Sequence, residues 1–155
     1  MAYTPNHTHK TNTSTHKIPP YISYMPPMLK NILALVLGIL VCMIANGAII
    51  TLGSILFPFE LDINNMSDVK EIKPFLTPFL AHALGSLIGA VVGVRIAASN
   101  KLSLAMVVAA FHMIGGVVMV MQYPSPTWFA VLDLAVAYLP MGYLGWKLGN
   151  RATTA

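Results

Sequence analysis

From Ile32 to Phe57 the chain carries no charged residue, and a run of that kind admits few structures. About 20 consecutive apolar residues are what an α-helix needs to cross a hydrocarbon core of about 30 Å. Three further stretches repeat the pattern. They are about 75–98, which meets its first basic residue at Arg95, about 102–121, and about 128–148, whose single acid is Asp133. Strands of a membrane barrel would be about ten residues long and would alternate in polarity; these stretches do neither. Lipid offers the backbone no hydrogen-bonding partners, so each segment must satisfy its own N–H and C=O groups as a helix. The prediction is an all-α membrane protein, an antiparallel four-helix transmembrane bundle with spans at about 32–57, 75–98, 102–121 and 128–148.

Composition agrees with this. The chain is 56% hydrophobic and 9% charged, against about 25% charged residues in soluble domains. Its net charge of +4 comes from Lys and Arg scattered among apolar stretches. They form no basic patch, so nucleic acid is not an expected partner, and the lipid bilayer is. Cys42 is the only cysteine, which excludes an intramolecular disulfide.

The charges also orient the spans. Lys10, Lys17 and Lys30 precede the first, Arg95 and Lys101 flank the turn between the second and third, and Lys147 and Arg151 end the fourth. The opposite side has Lys70 and Lys73 together with Glu60, Asp62, Asp68 and Glu71. Basic loops stay inside, so both termini are expected in the cytoplasm of a bacterial cell, with the chain as a multi-pass protein of the cytoplasmic (inner) membrane. Phe57, Phe59, Phe75, Phe79, Tyr123 and Trp128 are expected near the outer interface, and Tyr143 and Trp146 near the inner one. Residues 1–27, rich in Thr, His, Asn and Pro, read as a disordered tail. Met28 also fits a natural start, since Lys30 and an apolar helix follow at once. Residues 151–155 read as a short C-terminal tail. In the outer loop, Ser67 followed by Asp68 and Glu71 is the pattern of a capped short helix.

Small residues set how the helices meet. In the second span Ala81, Gly85, Gly89, Gly93 and Ala97 recur every four residues. Such a ridge lets backbones approach closely within lipid. The third span has Ala105, Ala109, His112 and Gly116 in a similar stripe, and the fourth has Gly142, Gly145 and Gly149. Pro140 frees the carbonyl of Val136 and is expected to kink the fourth helix. With four helices, one face of the glycine ridge is expected to be free for a second copy or a larger membrane partner.

Ionisable side chains within a span are costly and are functional-site candidates by default. The candidates are His82, Asp133, His112 and Asn46. At 1.5 Å per residue, His82 and Asp133 lie at similar depth below the outer interface. They are expected to form a hydrogen-bonded pair inside the bundle, with Gln122 or Tyr123 nearby. His112 and Asn46 fall nearer the midplane, with His112 a helical turn or more deeper than the pair, which makes a common metal centre awkward. Asp133, Ala137 and Pro140 share a face by helical phase. The pair reads either as interhelical glue or as a site that binds or relays a proton. No hydrolase, zinc-protease, phosphate-loop or Cys-x-x-Cys pattern is present, so no catalytic residue, metal or cofactor is expected.

The segments 78–85, 96–98, 115–116, 124–129, 132–134 and 137–142 carry a resemblance to a family of small bacterial four-transmembrane-helix proteins. Asn46 and the Phe57–Pro58 exit of the first span match as well. The resemblance covers about 28–149 and departs where the family has a run of prolines and this chain has Pro58-Phe59-Glu60. It implies the four-helix fold, points to His82 and Asp133, and transfers no activity. Two functions follow from the residues. One is a non-enzymatic structural or accessory membrane component. The other is a small transporter or proton-coupled permease using His82 and Asp133.

Overall fold

A computed structural model of the chain describes residues 25–58, 67–123 and 125–151. Every regular element among them is helical. The order is α1 (Pro27–Leu56), α2 (Lys73–Ile96), α3 (Lys101–Gln122), α4 (Thr127–Val136) and α5 (Leu139–Arg151). Four helices are long and apolar enough to cross a membrane, with Thr127–Arg151 acting as one interrupted span. At 30 residues α1 is the longest, about 45 Å at 1.5 Å per residue, so it must tilt or project beyond a core of about 30 Å. It begins at Pro27, whose missing N–H costs nothing in a first helical turn.

The expected tail mostly lies outside the described residues, as do 59–66 and 152–155. Ser67 and Asp68 form a single 3₁₀ turn, and Glu71 lies outside any helix. The anticipated capped helix is therefore reduced to that turn.

α2 is the central helix and touches all the others. Its ridge faces inward along its whole length: Ala81, Gly85, Gly89, Gly93 and Ala97 are all buried. The helix that covers it is α1. A β-carbon built on Gly89 would lie 2.5 Å from Cys42 Cβ and 2.6 Å from the Gly38 carbonyl oxygen. Gly93 meets the Ala34 carbonyl, and Gly85 meets Cys42 and Asn46. Rising numbers on α1 thus meet falling numbers on α2. The surface α1 offers is itself a stripe at spacing four, Ala34, Gly38, Cys42 and Asn46. The ridge expected to be free for a partner is filled within one chain.

The fourth span packs by the same means. Gly142 comes against Ala109 and the Ala105 carbonyl of α3, and Gly145 against Ala90 and the Leu87 carbonyl of α2. The span is interrupted at Ala137–Tyr138. Proline has no N–H to bond the carbonyl four residues back, so Pro140 cannot continue the ladder to Val136. The break also re-phases the helix: Ala137 is buried while Pro140 is exposed, so Pro140 does not share the face of Asp133. At the turn between α2 and α3, Asn100 takes a left-handed conformation with φ 49°, which asparagine tolerates. Asn31 of α1 ties that turn down. Its Oδ1 accepts from the N–H groups of Ala98 at 3.0 Å and Ser99 at 3.2 Å, and its Nδ2 donates to Ser99 Oγ at 2.9 Å.

Phe75 faces the bundle interior. It is 2% exposed and packs on Phe129 and Trp128, with ring centroids 4.7 and 5.5 Å away.

Candidate functional site

His82 and Asp133 meet. His82 Nδ1 lies 2.8 Å from Asp133 Oδ2 and 3.0 Å from Oδ1, with the imidazole N–H donating to the carboxylate. Their helices bring them together for separate reasons. His82 follows Ala81 of the inward ridge on α2, and Asp133 ends the buried side of α4. Asp133 is only 1% exposed. A lone carboxylate at that burial would be very costly, and a charge there requires a partner with good hydrogen-bond geometry.

A third group completes the shell. The Tyr138 hydroxyl donates to Asp133 Oδ2 at 3.1 Å, and Tyr138 is fully buried. This residue replaces the expected neighbours: Gln122 is exposed at the end of α3, and Tyr123 reaches only the wall of a cavity. On a regular helix residues five apart do not face one another. The break after Val136 puts Tyr138 within reach of Asp133.

His112 joins the cluster, contrary to the depth expected of it. Its ring centroid lies 5.8 Å from that of His82 and 5.2 Å from that of Tyr138, both edge-to-face, while Tyr138 stacks on His82 at 5.4 Å. Its Nδ1 shares a hydrogen bond of 2.9 Å with Ser86 Oγ, and Ser86 is fully buried. Counted from the α2–α3 turn, His82 and His112 are offset by about three residues, or about 4.5 Å, and two imidazoles span that. Gly116 makes room for the arrangement, since a β-carbon there would collide with the Tyr138 hydroxyl and ring.

Asn46 stands apart from this network. Its Oδ1 is buried with no hydrogen-bond partner. It lines a cavity of about 410 Å³ between α1 and α3, together with Cys42, His82, His112 and Met119. A second cavity, of about 310 Å³, lies between the start of α2, the end of α3 and the start of α4. Asp133 and His82 line its inner part, Phe75, Phe129 and Met119 its walls, and Tyr123 and Ser125 its outer part. His82 belongs to both cavities, and its Nδ1 is committed to Asp133. Its Nε2 is the nitrogen left for whatever enters either one.

Chemically the cluster is an acid–base centre without a wired nucleophile. Ser, His and Asp are all present, but Ser86 bonds His112 while Asp133 bonds His82. A hydrolytic triad requires one histidine to join both. Among the described residues no three His, Cys, Asp or Glu side chains converge as metal ligands. No family model matches the chain, and neither a curated protein nor a solved structure matches it.

Proposed function

We propose that the chain is a multi-pass protein of the bacterial cytoplasmic membrane, an antiparallel four-helix bundle with both termini in the cytoplasm. Within it, His82 and Asp133 form the proton-handling centre of a small permease without enzymatic activity. The observation that carries this is a single one. The only acid in the spans is buried, yet it lines a cavity running to Tyr123 and Ser125 at the outer loops. Interhelical glue needs no cavity at its carboxylate. A second feature supports the reading: the fourth span is interrupted about one turn after Asp133, at Ala137–Tyr138, and secondary transporters build their sites at discontinuous helices. Such transporters are commonly built from repeats. One copy of this chain has no evident repeat, so a homo-oligomer would supply the second half. The accessory-component reading draws support from the same centre, because His82 and Tyr138 already satisfy Asp133.

Infrared difference spectroscopy on the protein in bilayers separates the two. Spectra taken across a wide pH range are expected to contain reversible bands from the pair. These bands should disappear in Asp133→Asn. A folded wild type whose spectra contain no Asp133-dependent band across that range would leave the pair as glue.

A further inference from the structure

We propose that the outer cavity binds an organic ammonium ion of about the size of a substituted ring, and that His82 gives up a proton as the cation enters. This inference rests on the permease reading and names its substrate class. The cavity has the three features such a ligand selects. Asp133 supplies a carboxylate, and none of the lining residues is Lys or Arg. Tyr123, 42% exposed, supplies an aromatic ring beside the buried Phe75 and Phe129, and such a ring face attracts cations. Ile50, Met119 and Val120 supply apolar wall for the rest of the molecule. At about 310 Å³ the space lies at the small end of ligand sites, which run from about 300 to 1,000 Å³. An anion would meet the carboxylate, and a neutral solute would leave the charge unused.

The proton follows from charge balance. Asp133 accepts from His82 and Tyr138, and a carboxylate has further lone pairs for a third donor or a nearby cation. An imidazolium and an organic cation beside one carboxylate repel each other. The centre therefore holds one positive charge, either the proton on His82 or the ligand. The bond that breaks is His82 N–H, its electron pair stays on the ring nitrogen, and the proton goes to water. Other titratable groups surround the pair. His112 faces it from α3, Tyr138 from the break in the fourth span, Tyr123 lines the outer end of the cavity, and Cys42 of α1 lines the adjoining one. Lys73 lines a separate cavity at the start of α2.

The test compares benzyltrimethylammonium with its uncharged isostere neopentylbenzene on the full chain in lipid nanodiscs. The cation is expected to bind at least about tenfold more tightly than the isostere. Its binding should be accompanied by proton release in weakly buffered solution. His82→Gln should abolish the proton release, and Asp133→Asn should lose the preference for the cation. Should Asp133→Asn fail to fold, the two ligands on the wild type still decide. Equal affinity for the isostere overturns the proposal, as does proton release that His82→Gln leaves unchanged. Absence of binding by either ligand overturns it too, while leaving the permease reading to the accessibility measurement below.

Discussion

Asp133→Ala is expected to destabilise the folded protein by about 3–5 kcal/mol, the cost of leaving one partner of a buried charged pair behind. Two donors lose their acceptor at once, the His82 imidazole at 2.8 Å and the Tyr138 hydroxyl at 3.1 Å. His82→Ala should cost less, because Tyr138 still donates to the carboxylate. The double variant should cost clearly less than the sum of the two, by about 1–2 kcal/mol. That exceeds the average of about 0.6 kcal/mol for polar contacts between membrane helices, since here one partner is a carboxylate with 1% exposure. Reversible unfolding in mixed micelles measures all three variants. Additive losses would mean that the two side chains do not interact.

The second large effect lies at the α1–α2 contact. Gly89→Leu should separate the two helices and cost about 3 kcal/mol or more, at the upper end of overpacking penalties. A β-carbon at Gly89 already falls 2.6 Å from a backbone oxygen of Gly38, and backbone cannot rotate out of the way as a side-chain tip can. Gly47 is the matched control, because nothing lies within 4 Å of a β-carbon built there. Gly47→Leu should leave unfolding in the same micelles almost unchanged. Similar losses at both positions would show that glycine content, and not the close contact, sets stability.

How far the sequence reveals this molecule depends on which force placed each residue. The four long apolar helices are legible because lipid enforces helix formation wherever charge is absent, though α1 begins at Pro27, ahead of the expected Ile32. The His82–Asp133 pair is legible because two ionisable groups at similar depth have few other partners. Ser86 and the Ala34, Gly38, Cys42, Asn46 stripe carry a readable signal as well, each being spaced by four from another inward residue. The longer glycine ridge on α2 draws attention from both. Tyr138 is a different case. It lies five residues from Asp133, where a regular helix would turn it away, and only the interruption caused by Pro140 brings it back. His112 joins the pair because an offset of about three residues, about 4.5 Å along the helix axis, is within the reach of two imidazole rings. The cavities carry no sequence signature, since they depend on how the helices pack against one another.

The central claim is that water and small solutes reach His82 from the outer face. Single cysteines at Ser125, His82 and Ser103, each placed in a Cys42→Ser background, can be challenged with a small charged thiosulfonate that does not cross membranes. Added outside right-side-out vesicles, it should modify position 125 rapidly, position 82 measurably, and position 103 at the inner end of α3 only after the vesicles are opened. Rapid modification at 125 with none at 82 would contradict the account and leave the His82–Asp133 pair as dry interhelical glue.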